Sequence, residues 1–185
     1  MTDAPPLPMS SSGLPGLPGR QGVDRDAFRT LMSGFPSGVA VVTSGSEGSP
    51  AGMTCSSVCS VSLDPPVLLV CLRAASPTLA TVVERGSFAV NFLSARARPV
   101  AELFASGDPD RFSRVRWAVG VGSGGPHLVG DADSVADCSV HSTHQVGDHV
   151  VVLGDVLAVH CEPERRPLLY GLRRYEAWPV LAGPT

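Results

Sequence analysis

Residues Gly52-Met53-Thr54-Cys55-Ser56-Ser57-Val58-Cys59-Ser60-Val61-Ser62-Leu63-Asp64-Pro65-Pro66 run directly into Val67-Leu68-Leu69-Val70-Cys71-Leu72. The first part is a series of small hydroxyl and thiol side chains that reads as extended backbone. A Pro-Pro pair cannot carry a strand ladder onward, so it marks a corner. The apolar stretch after it is short, β-branched at Val67 and Val70, and reads as a buried strand. A polar strand beside the most apolar strand of the chain makes a wall where backbone and hydroxyl groups can meet a flat polar ligand.

The rest of the chain supports a β-rich fold around this pair. Asp24 is placed to cap a helix whose Phe28, Leu31, Met32 and Phe35 recur at i, i+3, i+4, i+7, and the spacing predicts that they share a buried face. Phe35-Pro36 ends that helix, because a residue before proline is pushed out of helical geometry. Val39–Thr43 reads as a buried strand, and the Ser44–Pro50 turn makes it a hairpin with Ala51–Leu63. Ser76-Pro77 opens a helix with Leu79, Val82 and Val83 on its apolar face, and Gly86 closes it. Ser87–Leu93 is a further strand, and Pro99–Ala105 a short helix with Val100, Leu103 and Phe104 inward. Asp108–Phe112 is a capped turn and Gly120–Gly130 a loop. Ser134–His144 and His149–Cys161 are strands joined by a tight turn at Gln145–Asp148. Short strands at close spacing with three small helices between them predict a mainly β fold, a closed antiparallel barrel.

At 185 residues the chain fits one domain with a core that needs no disulfides. Residues 1–22, rich in Pro, Gly and Ser without periodicity, read as a disordered tail. Residues 23–178 form the domain, and 179–185 a C-terminal tail. A net charge of −3 offers no long-range attraction to nucleic acid or to anionic lipid. No apolar run reaches the about 20 residues of a membrane helix. With no charged-then-apolar leader in Met1–Gly22, and five cysteines in all, the expectation is a cytoplasmic protein with reduced thiols. At strand spacing Cys55 and Cys59 share a face. No second pair stands at metal-ligand spacing, so no metal is expected. All fourteen basic residues are arginine, which reads as codon bias.

Dinucleotide and nucleotide fingerprints of the glycine-rich type are absent. From Phe28 to about Tyr175, however, the order of motifs resembles the flavin reductase family, small NAD(P)H:flavin oxidoreductases built on the FMN-binding split barrel. The pieces are Phe35–Thr43, Gly52–Leu72, Ser76-Pro77-Thr78, Gly86–Asn91, Phe104–Gly107, Asp110-Arg111-Phe112, Gly147-Asp148-His149 and Pro167–Tyr170. The resemblance implies a split β-barrel that reduces FMN or FAD with NADH or NADPH. It also implies a homodimer whose reduced flavin serves a separate flavin-dependent monooxygenase.

The resemblance assigns Ser37, Gly38, Met53, Thr54, Cys55, Ser56 and Ser57 to the flavin, the segment 53–57 acting largely through backbone groups. Ser76 and Thr78 fall where the family meets the flavin phosphate. Independently, two hydroxyls and the positive end of a helix suit an anion, although Pro77 brings no N–H. Ser76 as a plain helix cap stays open as the other reading. His149 matches a histidine near the nicotinamide, the other reading being a surface residue. Tyr175 is a candidate contact to the nicotinamide or adenine. Members carry a glycine pair before this tyrosine where this chain has Arg173-Arg174, which hold a phosphate or are solvated. No cysteine is needed for hydride transfer. The alternative function is a split-barrel flavin or haem binder without reductase activity.

Overall fold

The structure, a computed structural model, describes residues 22–120, 122–163 and 166–179. The tails assigned to 1–22 and 179–185 therefore lie outside the described residues, except for Gly22 and Pro179. The chain divides into two units, Met1–Met32 and Ser33–Thr185.

The first unit contributes most of helix α1 (Arg25–Ser33). Asp24 caps it as expected: its Oδ1 accepts from the N–H groups of Asp26 and Ala27 at 2.9 and 2.8 Å. The buried face expected of it is not observed. No residue of α1 is buried, and Phe28, Leu31 and Met32 stand exposed. Periodicity sets which side chains share a face; burying that face takes a partner surface.

The second unit runs through β1 (Ser37–Gly38), β2 (Ala40–Ser46), β3 (Ser49–Cys55), β4 (Val58–Leu63) and β5 (Pro66–Arg73). Then come α2 (Pro77–Arg85), β6 (Ser87–Leu93), α3 (Arg98–Ser106), a 3-10 turn at Arg111–Arg114, β7 (Trp117–Ala118) and β8 (His127–Leu128). The long hairpin β9 (Ala132–Val146) and β10 (His149–Cys161) follows, then β11 (Leu168–Gly171) and β12 (Arg174–Ala177). Seven strands form one antiparallel sheet in the order β3-β2-β6-β9-β10-β5-β4, while β1, β11 and β12 form a second.

The seven-stranded ladder has two edges, β3 and β4, so the hydrogen-bonded closure expected of the barrel is not present among the described residues. These edges are nevertheless consecutive in the chain, joined only by Ser56-Ser57. At about 3.8 Å per Cα step, that link spans only about 11 Å. The sheet must therefore curl until its edges approach at this one point. The single strand expected over Ala51–Leu63 is broken there, because its two halves pair with different neighbours: β3 with β2, and β4 with β5. The break also separates the cysteines expected on one face, leaving Cys55 buried and Cys59 exposed.

Strand β2 is buried on both faces. Ala40 and Val42 face a core with Val70, Leu72, Phe88, Val90 and Val152, over which α2 lays Leu79 and Val82. Val39 and Val41 face a second core with Leu93, Phe104, Phe112 and Leu168. A strand covered on both sides reads as the continuous apolar run seen in the sequence. Helix α2 begins and ends on local signals: Ser76 Oγ accepts from the Leu79 N–H at 3.0 Å, and Gly86 adopts a left-handed φ of 66°. Val83, expected inward, is exposed.

Candidate functional site

The site is built where the Ser56-Ser57 link passes the end of β5. Ser57 O accepts from the Cys71 N–H at 3.1 Å, and Cys55 Sγ lies 3.6 Å from Cys71 O. Two residues further along β5, Arg73 is the register partner of His149. The Ala74 N–H donates to Asp148 O at 2.9 Å, and the Ser76 N–H donates to Arg73 O at 3.0 Å. One end of β5 thus carries the β3–β4 link, the start of α2 and the start of β10. Of the residues assigned from the sequence, Cys55, Ser57 and Ser76 are brought to this end by these bonds and His149 by the β5–β10 register, with Ser56 and Thr78 near them in the chain.

Each group there is held by chemistry readable in the surroundings. Ser56 and Ser57 are exposed between two sheet edges, whose outer backbone groups have no strand partner among the described residues. Upstream, Arg111 Nη1 donates to Gly52 O at 3.0 Å, and the Thr54 hydroxyl donates to Ala101 O at 2.6 Å. Those two bonds fix β3 in place and commit the Thr54 hydroxyl proton to α3, so Thr54 can meet a ligand only as an acceptor or through its backbone. Met53 packs against the core. Burial pushes the Cys55 thiol up to about 11 and raises Cys71 as well. Neither thiol is ionised at neutral pH, and neither is a poised nucleophile.

Asp148 Oδ1 lies 2.9 Å from His149 Nδ1. With Asp148 as a carboxylate, Nδ1–H is the donor, which orients the ring and leaves Nε2 for another partner. At α2, Ser76 spends an acceptor on Leu79, which satisfies the plain capping reading, but its hydroxyl proton is still available. Thr78 is buried at 3% exposure. The arrangement fits a flavin on three counts: small side chains at the link, a helix N-terminus for an anion, and an oriented imidazole beside both.

Ser37, Gly38 and Tyr175 stand elsewhere. Ser37 pairs with Tyr170 on β11, and Tyr170 with Tyr175 on β12, their rings 5.0 Å apart. The Arg98 guanidinium lies 5.9 Å from the Tyr175 ring centre, and burial raises the Tyr175 phenol. Gly38 lines a cavity of about 640 Å³ with Phe92, Asp133, Cys161 and Trp178. It also lines one of about 480 Å³ with Val58, Ser62 and Leu68. Cys161 in the first cavity and Leu68 in the second stand toward the ends of β10 and β5 opposite His149 and Arg73, so neither cavity is at the His149 end. Sequence reading missed two positioning residues, Asp148 for the imidazole and Arg111 for Gly52. Both lay inside motifs already singled out, and only contacts could assign them.

Comparison with known proteins identifies the family. The chain is 51% identical over 151 residues to a flavin reductase (NADPH) of Lentzea aerocolonigenes, covering 81% of this chain and 88% of that protein. It is 34% identical over 160 residues to HsaB, the reductase subunit of a flavin-dependent monooxygenase of Rhodococcus jostii, covering 86% and 81%. The NADH:FAD oxidoreductase of Streptomyces globisporus, solved in complex with NAD and FAD fragments, superposes with a TM-score of 0.78. It is 34% identical and covers 86% of this chain and 94% of that one. Residues 32–179 match the flavin reductase like domain, a span that holds the link, the helix N-terminus and the histidine alike, and the chain belongs to that family.

Proposed function

We infer that this protein, an NAD(P)H:flavin oxidoreductase, carries out its reaction at the end of β5 and passes reduced flavin to a separate flavin-dependent monooxygenase. The observation that carries the placement is the register pair Arg73–His149, with the Ala74 N–H on Asp148 O, which sets the imidazole beside the start of α2. The nicotinamide supplies a hydride at C4 and the flavin accepts it at N5 when both are bound. The backbone of residues 53–57 holds the flavin ring, Ser76 and Thr78 hold its phosphate, and His149, oriented by Asp148, positions the nicotinamide. Holding two reactants in contact supplies most of what such a transfer needs, so no side-chain base is required.

The reading extends to assembly and setting. We propose that the curled sheet acts as a split barrel and that the chain forms a homodimer. The exposed apolar residues Leu63, Leu157 and Val159 support a surface covered by a second copy. Ser37, Gly38 and Tyr175, which no strand pairing joins to β10 among the described residues, then take part at the site through that copy. A cytoplasmic setting fits the free thiols, and no described helix is long and apolar enough to cross a membrane.

The test is oxidation of NADH or NADPH by purified protein, followed by nicotinamide absorbance with and without added FMN or FAD. Turnover should appear only with flavin. A protein that binds flavin tightly yet oxidises neither nicotinamide would instead be the binding module.

A further inference from the structure

We propose that Arg73 is the phosphate-recognising side chain of this site, the group that makes it prefer phosphorylated flavins to riboflavin. This rests on the flavin-site reading above and assigns to that site a residue that the family motifs did not supply.

The argument begins with the donors at the start of α2. Pro77 has no N–H, the Leu79 N–H is taken by Ser76 Oγ, and the Ala80 N–H by Ser76 O at 3.3 Å. Among the described residues, the Thr78 N–H is the one backbone donor of this turn left without a partner. The helix end therefore offers one N–H, two hydroxyl protons and a partial dipole charge. A flavin monophosphate carries about −1.5 to −2 charges at neutral pH. Without a formal cation nearby, the site is under-charged for its ligand.

Arg73 supplies that cation. It is exposed, and its backbone carbonyl accepts the Ser76 N–H, so it directly precedes the helix N-terminus. In an antiparallel ladder, directly opposed residues project from the same face with Cβ atoms about 5 Å apart. Its partner is His149, while Leu72 beside it points into the core at 0% exposure. Arg73 and His149 thus share the outward face at the end of β5. Other arginines are already engaged: Arg98 on Glu102, Arg114 on Asp108, Arg174 on Glu176 and Arg111 on Gly52 O. Arg73 has no such partner among the described residues. A planar guanidinium with parallel N–H groups matches two phosphate oxygens at once, which an ammonium cannot do.

The experiment is a flavin-fluorescence titration of the full chain with FMN and with riboflavin, for wild type, Arg73→Ala, Arg73→Lys and Arg85→Ala. Steady-state kinetics with NADH and NADPH, and thermal unfolding, accompany it. Arg85 sits on the last turn of α2, at the far end of the same helix, and serves as a charge-matched control. Arg73→Ala should raise the FMN dissociation constant about tenfold and change that of riboflavin by less than about twofold. Arg73→Lys should recover part of the loss, and Arg85→Ala should match wild type. Equal losses for FMN and riboflavin, or no loss for either, overturn the proposal. A loss confined to NADPH against NADH also overturns it, by moving Arg73 to the nicotinamide 2′-phosphate. Wild-type protein inactive with every flavin would instead bring down the reductase reading itself.

Discussion

Two polar clusters in this protein are built from similar groups and end in opposite states. The first is buried. Asn91 Nδ2 donates to Thr43 Oγ1, Val41 O and Pro126 O, and its Oδ1 accepts from the Leu128 N–H at 2.8 Å. The Thr43 hydroxyl donates to Pro126 O at 2.6 Å. Asp137 Oδ1 accepts from the Gly124 N–H at 2.7 Å and lies 2.9 Å from His127 Nε2. Together these bonds strap residues 124–128 across β2, β6 and β9. The second cluster, around Ser57, Arg73, Ser76, Thr78 and His149, is partly exposed and has unspent capacity among the described residues: one helix N–H, two hydroxyl protons, an imidazole Nε2 and an unpaired guanidinium. A buried polar group left unpaired costs about 1–3 kcal/mol, so the first cluster must close on itself. The second can remain open because water satisfies it until a ligand does. Residual hydrogen-bonding capacity, more than polarity, separates the site from the scaffold.

The comparison can be broken most decisively at the strap. A Cβ on Gly124 would overlap Phe88 O, and one on Gly125 would lie 2.6 Å from Thr43 O, both against backbone that cannot yield. Gly124→Ala should cost about 4 kcal/mol or more, seen as lost soluble yield or a collapsed urea midpoint. Asn91→Ala leaves buried acceptors and the Leu128 N–H unpaired and should cost about 3 kcal/mol. In both variants the surviving folded protein should bind FMN as wild type does. A weakened flavin dissociation constant without loss of stability would mean that the strap belongs to the site.

The reverse pattern is expected at the open cluster. His149→Ala should lower kcat/KM about tenfold to hundredfold while leaving the thermal midpoint unmoved, because the ring is half-exposed and its one side-chain bond among the described residues is to Asp148. Asp148→Asn should act in the same direction and less, since it misorients the imidazole without removing it. A large stability loss with unchanged kcat/KM would make this corner scaffold too.

What the sequence disclosed follows the range of the physics involved. Helix α2 was legible to the residue because Ser76, Pro77 and Gly86 act within one turn, and β6 matched its expected limits because its apolar run is bounded at both ends. The break at Ser56-Ser57 was not legible, since the Ser44–Pro50 turn and the Pro65-Pro66 corner mark the two hairpins but no local signal marks where one ends and the next begins. The face of α1 was legible as a face but not as exposed. For the site, the hydroxyls at Ser76 and Thr78 and the histidine came from motif order. The role of Arg73 needed the register of β5 against β10, which joins residues far apart in sequence. The strap at Gly124-Gly125-Pro126 read only as a loop, because its polar partners lie on three other strands.

The β11–β12 hairpin was hidden for a different reason, and it offers the finest test. Its turn is made by Leu172 and Arg173, which hold left-handed φ values of 50° and 60°. Two positive φ angles in a two-residue hairpin call for glycine or asparagine, so the sequence carries no turn signal there. Left-handed backbone costs a non-glycine residue about 1–2 kcal/mol, and glycine returns about 0.5–1 of that through unfolded-state entropy. Leu172→Gly with Arg173→Gly should therefore stabilise the fold by about 1 kcal/mol in urea denaturation. If nicotinamide KM is unchanged, the strain is incidental and Arg173 is simply solvated. If KM rises despite the added stability, Arg173 is an open donor like those around His149, and the hairpin that carries Tyr175 joins the open cluster.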